Sequence, residues 1–183
     1  MMPSYDIVNY GSLEHGYRQV CNQCLNNELA EAVGLVGFEN ANFQALSLGD
    51  CTGAVHEFHF RTSQFGAGVA IDAFELRDGH LAGYQSQIIG DPEEDLFVLF
   101  GRLIQKIRRS LSTKHLRQRE FGLQIADDRV VKAMIGWDKG QDGRIPLLTI
   151  DGQEITWEDL GRMIMSFEGF QFKLTVADKS EEL

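Results

Sequence analysis

Eight apolar residues, Leu96, Phe97, Leu99, Phe100, Leu103, Ile104, Ile107 and Leu111, recur at three- and four-residue spacing. That period gathers them on one face of an α-helix, and the stripe is too broad to leave in water. The chain therefore has to provide a surface that covers it, and this predicts a central buried helix. Asp91 reads as its N-cap, Pro92 as its first residue and Glu94 as the partner in a capping box. Residues 91–119 are assigned to this element, between an N-terminal part over 1–90 and a smaller α+β part over 120–178.

The covering surface is foreshadowed upstream. Residues 43–48, 54–61, 68–77 and 81–89 have strand character, and turn signals at Gly49-Asp50, Gln64-Phe65-Gly66 and Asp78-Gly79 separate them. They predict an antiparallel meander. Before it, Leu25, Leu29, Ala32 and Val33 mark a short helix over 22–33 that Gly34 ends. Downstream, residues 121–126 and 130–137 are expected to pair across Asp127-Asp128, and 145–150 with 153–155 across Asp151-Gly152. Thr156 is placed to cap a last helix, with Trp157, Leu160, Ile164 and Phe167 on one face. Phe170, Phe172, Leu174 and Val176 alternate with polar residues, the pattern of a half-buried closing strand. Residues 179–183 form a polar tail expected to fray. The sum is an α+β fold in a single compact unit over 1–183, for which 183 residues, 43% of them apolar, suffice.

Net charge is −10, which argues against broad nonspecific affinity for nucleic acid. Yet seven of the 17 basic residues lie between Arg102 and Arg119 with no acid among them. Two readings are open. Cations gather at a helix C-terminus because its carbonyl dipoles favour them. Alternatively, Lys106, Arg108, Arg109, Lys114 and Arg117 form a patch for a partner or an anion.

Cys21 and Cys24 are two residues apart, a spacing that grips a soft metal, and Cys51 is the third cysteine. A structural zinc takes four ligands. On a regular strand over 54–61, His56 and His59 face opposite sides, and His56 is nearer Cys51. The candidate tetrahedron is therefore Cys21, Cys24, Cys51 and His56, with no position left for substrate. Small buried thiols are the other reading, and within it a thiol–disulfide pair. An odd cysteine count suits a reducing cytoplasm. Neither a signal peptide nor a membrane span is expected.

The segments Cys21-Asn22-Gln23-Cys24-Leu25-Asn26-Asn27, His56-Glu57-Phe58-His59, the run from Ile150 to Met163 and Phe167-Glu168-Gly169-Phe170-Gln171 together resemble an uncharacterised family of bacterial proteins, over residues 20–178. The resemblance implies a prokaryotic cytoplasmic protein and carries over no catalytic residue.

No catalytic motif stands out. Asp72 and Glu75 have opposite strand parity, and Gly66-Ala67-Gly68 lacks the lysine and the helix of a phosphate loop. Cys21, His56, His59 and Asp72 are what an unrecognised hydrolase would have to use. The expectation is a non-catalytic protein-binding or regulatory module with a possible structural zinc. A metal-supported nucleic-acid module and a hydrolase are the alternatives.

Overall fold

The computed structural model describes residues 4–12, 14, 16–35, 41–66, 68–91, 93–138, 140 and 142–182. Among them are eleven strands and three α-helices, all sheets being antiparallel. The fold is α+β, as expected.

The N-terminal part is a hairpin, β1 (Ile7–Ser12) and β2 (Gly16–Cys21), running into α1 (Asn22–Ala32). The meander follows as β3 (Leu46–Gly49), β4 (Val55–Phe65), β5 (Gly68–Arg77) and β6 (His80–Gly90), in that spatial order. Because β3 pairs only with Val55 to Phe58, the rest of β4 leaves an open edge. Two asparagines of α1 close it. Asn26 accepts from Gln64 N–H at 2.9 Å and donates to the Thr62 carbonyl at 2.8 Å, and Asn22 donates to that carbonyl at 2.7 Å. Spaced four apart on one helix face, they stand in for a missing strand.

Helix α2 (Leu96–Leu111) lays its apolar stripe on this sheet: Leu99, Leu103, Ile107 and Leu111 are buried against Phe58, Phe60, Val69, Ile71, Ala73 and Ile88. Two details differ from expectation. The N-cap is Asp95, whose carboxylate accepts from Phe97 and Val98 N–H, because β6 runs through Gly90 and the next residues turn the chain. Asp91 closes that turn by accepting from the Glu93 and Glu94 N–H groups, and Pro92 falls outside the described residues. Phe97 stands 78% exposed, so it is not part of the buried stripe.

The helix also ends earlier than 119. Leu116–Arg119 is a strand, β7, which pairs with β8 (Gly122–Ile125) across a two-residue turn at Glu120-Phe121. Residues 121–126 thus pair backward with β7 and not forward with 130–137, since Gly122, at φ +104, allows the tighter hairpin. Strand β9 (Met134–Trp137) joins β10 (Pro146–Ile150), which forms the expected hairpin with β11 (Gln153–Thr156). Helix α3 (Trp157–Met165) is capped by Thr156 as expected, but Leu160 and Met163 make its inner face while Trp157 is 51% exposed. These elements enclose a second core of Leu116, Leu148, Ile150, Ile155 and Met163.

The chain's end reverses two expectations. Residues 170–176 belong to no strand, and Phe170, Phe172, Leu174 and Val176 are all exposed. The tail beyond them is docked: Lys106 Nζ donates to the carbonyls of Lys179 and Ser180, Lys179 Nζ reaches Asp72 Oδ1 at 3.1 Å, and Arg109 pairs with Glu182.

Candidate functional site

A polar cleft of about 490 Å³ separates the two cores. One wall is a bulge. Phe74 faces Gln85 but Glu75 faces Ala82, so Gly83 and Tyr84 are extra residues on β6. The bulge turns the Tyr84 N–H onto Glu75 Oε2 at 2.6 Å, and a Cβ on Gly83, which has φ +58, would meet that oxygen at 2.1 Å. Glycine suits this left-handed position, and any side chain there would have to push the Glu75 carboxylate aside.

Across the cleft, the turn between β3 and β4 presents Asp50, whose side chain is 1% exposed. Its Oδ1 accepts from the Thr52 and Ala54 N–H groups and the Thr52 hydroxyl, at 2.7 to 3.0 Å. Its Oδ2 lies 2.7 Å from Lys114 Nζ. His56 stands between carboxylates, Nδ1 at 2.9 Å from Glu75 Oε1 and Nε2 at 3.3 Å from Asp50 Oδ2. Lys114 Nζ also donates to the Tyr84 hydroxyl at 3.0 Å. The third wall is the β10–β11 turn, where Gly152 packs on the Tyr84 ring and Asp151 Oδ2 accepts from the His115 and Leu116 N–H groups at 2.8 Å.

These contacts fix the charges. Lys114, then Thr52, hold the Asp50 carboxyl well below the usual carboxylate range. Burial disfavours the Lys114 ammonium, but hydrogen bonds to Asp50 and Tyr84 outweigh it and keep Lys114 above the ordinary lysine value. Burial pushes the Tyr84 phenol up against the pull of Lys114. No side-chain atom of this cluster is left buried without a partner among the described residues. Chemically it is a closed ion-pair network joining two lobes, with its acid and base tied to each other at neutral pH.

A pH dependence follows. A depressed carboxyl stabilises the fold above its unfolded value of 3.8 and loses that contribution as pH falls toward its folded value. A raised lysine stabilises below 10.5 and loses its contribution as pH rises past it. Melting temperature should therefore hold level between these limits and drop on both sides. In Asp50→Asn the acid-side drop, below about pH 4, should be shallower. An unchanged acid limb would remove Asp50 from the linkage.

The residues expected to bind metal are not brought together. Cys21 and Cys24 sit where α1 meets Thr62 and Gln64, whereas Cys51 lies in the turn that leads into Val55. His56 and those α1 contacts are separated by roughly 20 Å of strand. Cys51 instead donates its N–H to the Leu111 carbonyl at the end of α2. His59 stacks on Phe74, with the Tyr5 ring tilted against both, and Asp72 pairs with Arg61 and Lys179 on the sheet face opposite α2.

Most of the basic patch has partners within the chain. Lys106 holds the tail, Arg109 pairs with Glu182, Lys114 with Asp50, and Arg117 with Asp127. Arg108 is exposed and makes no ion pair with the described residues.

Three family models match consecutive stretches of the chain, each describing a domain of unknown function: DUF7685 over residues 2–36, DUF7686 over 39–112 and DUF7713 over 115–181. No curated protein and no solved structure matches it. The likeness to uncharacterised proteins thus extends over nearly the whole chain. The boundaries follow the structure: the hairpin with α1, the four-stranded sheet with α2, and the second core with its exposed run. Lys114 falls in the two-residue gap between the second and third matches, at the join that the cleft spans. No helix among the described residues is long and apolar enough to cross a membrane.

Proposed function

We propose that this chain is a non-catalytic protein-binding module whose docking element is residues 170–176. One observation carries the reading: Phe170, Phe172, Leu174 and Val176 have strand periodicity, lie 61%, 81%, 74% and 70% exposed, and pair with no strand among the described residues. Solvated apolar residues scattered singly are ordinary, but four at every second position would share one face of an added strand and gain by being covered. The run is tethered on both sides. Phe170 lies beneath the Arg129 guanidinium and against Phe167, and Lys179 is held by Asp72. Such a segment suits strand addition, in which backbone hydrogen bonds to a partner's sheet edge give affinity and alternate side chains give selectivity.

The magnitudes suit reversible binding. Full burial of each such side chain gains about 1.5–3 kcal/mol. Association itself costs about 4–15 kcal/mol, so little surplus remains for a permanent complex.

The test is capture of a partner by wild type and by a Phe172→Glu, Leu174→Glu double variant. The variant should melt like wild type, since neither side chain is buried, and capture at least ~10-fold less, a loss of about 1.4 kcal/mol or more. A synthetic peptide spanning residues 168–178 should compete. Equal capture by a stable double variant would overturn the reading. Nucleic acid bound through Lys106, Arg108, Arg109, Lys114 and Arg117 is the second reading. It would have to displace the tail and Asp127, and it predicts affinity that falls steeply with salt and is lost on reversing Arg108, Arg109 and Arg117 to Glu.

A further inference from the structure

Cys21 is the N-cap of the 11-residue α1, with its Sγ accepting the Cys24 N–H at 3.1 Å. A neutral thiol is a weak acceptor, and serine, threonine, aspartate and asparagine are the residues that ordinarily do this work. A thiolate is a better match, because the helix N-terminus and its free N–H groups favour negative charge.

The second sulfur is placed differently. Cys24 lies one turn into the helix, where the neighbouring Cys21, then burial and the acids Glu28 and Asp6, push its thiol up. The two thiols are thus neighbours but unlike, Cys21 capping the helix and Cys24 standing one turn within it. Both are free; Cys21 is partly exposed and Cys24 openly so. Cys51, at the other end of β4, is too far away to join them.

We propose that Cys21 and Cys24 form a thiol–disulfide exchange site for small aliphatic disulfides, with Cys21 the attacking sulfur and Cys24 the resolving one. The Cys21 thiolate attacks one sulfur of R–S–S–R. A Cys21–S–S–R bond forms, the substrate S–S bond breaks, and the first RS⁻ leaves and takes a proton from water. Cys24 gives its proton to solvent and attacks the Cys21 sulfur, forming the Cys21–Cys24 bond and releasing the second RS⁻, which is protonated in turn. The small disulfide gains two electrons and becomes two thiols; the protein pair loses two and becomes one disulfide. Small dithiols reverse the sequence.

This site is independent of the run at 170–176, and its test reads only sulfur chemistry. The reduced full-length chain is incubated with oxidised glutathione, quenched by alkylation and mapped by mass spectrometry. The peptide with both cysteines should become about 2 Da lighter and resist alkylation, whereas Cys51 stays alkylatable. Cys24→Ser should trap a glutathione adduct on Cys21. Cys21→Ser should form its adduct on Cys24 at least ~10-fold more slowly, because the helix end no longer holds the attacking sulfur. Circular dichroism confirms that α1 persists in both variants. Equal adduct rates at all three cysteines would overturn the proposal, as would a pair that stays reduced in excess oxidised glutathione. A chain purified with zinc on this pair, oxidisable only after chelation, would make it a ligand pair instead and also overturn it.

Discussion

Leu103→Ala is expected to destabilise the protein by about 2–5 kcal/mol in chemical denaturation, the range of large-to-small changes in a closed core. Leu103 is 0% exposed, and it lies in the middle of the α2 row that also contains Leu99, Ile107 and Leu111. Sheet residues close the cavity from below, and a packed antiparallel sheet relaxes little into a void, so the packing that the leucine provides is not restored. Phe97→Ala is the control on the same helix. With Phe97 78% exposed, its loss should cost less than about 0.5 kcal/mol despite the larger side chain. Equal effects at the two positions would mean that α2 presents a different face to the sheet.

The contrast between Leu103 and Phe97 also marks what is legible in the sequence. Periodicity locates α2 and all four strands of the meander, with β5 matching the expected 68–77 at both ends, because burial on one side imposes a period that survives without coordinates. It does not locate the helix start, since Asp91 and Asp95 are both acceptable caps and only the length of β6 decides between them. Likewise, Gly122 is a turn signal whose meaning depends on α2 ending at Leu111. Residues 170–176 expose the limit of periodicity: alternation reports a side-chain pattern suited to a sheet, and says nothing about whether this chain supplies that sheet. The cleft is the least legible part. Asp50, His56, Glu75, Tyr84 and Lys114 come from a turn, two strands, a bulge and the segment after a helix. Lys114 falls within a basic run of the sequence, and charge counting along the chain cannot see that Asp50 lies beside it. Gly83, inside an otherwise regular strand pattern, is the one available hint of the bulge.

Asp151→Ala should weaken the attachment of the second core, by about 2–6 kcal/mol if both backbone donors it serves stay buried and unpartnered. Asp151 is 8% exposed, and its Oδ2 accepts from His115 and Leu116 N–H, each at 2.8 Å. Those groups lie where the chain leaves α2 and enters β7, so this one carboxylate ties the β10–β11 turn to the segment joining the two cores. Asp151 also adopts φ +53, which aspartate and asparagine tolerate better than alanine. Asp151→Asn keeps an acceptor oxygen and that tolerance, and should retain most of the stability. Gly152→Ala tests the same joint sterically: at φ +76, a Cβ would lie 2.9 Å from the Tyr84 ring. In Asp151→Ala, hydrogen exchange should accelerate across β7 to β11 first, while the amides of α2 and β5 keep their protection, because the larger core does not depend on this contact. If exchange instead accelerated evenly throughout, the two cores would unfold as one cooperative unit; if Asp151→Ala matched Asp151→Asn within about 0.5 kcal/mol, the carboxylate would not be what holds the lobes together.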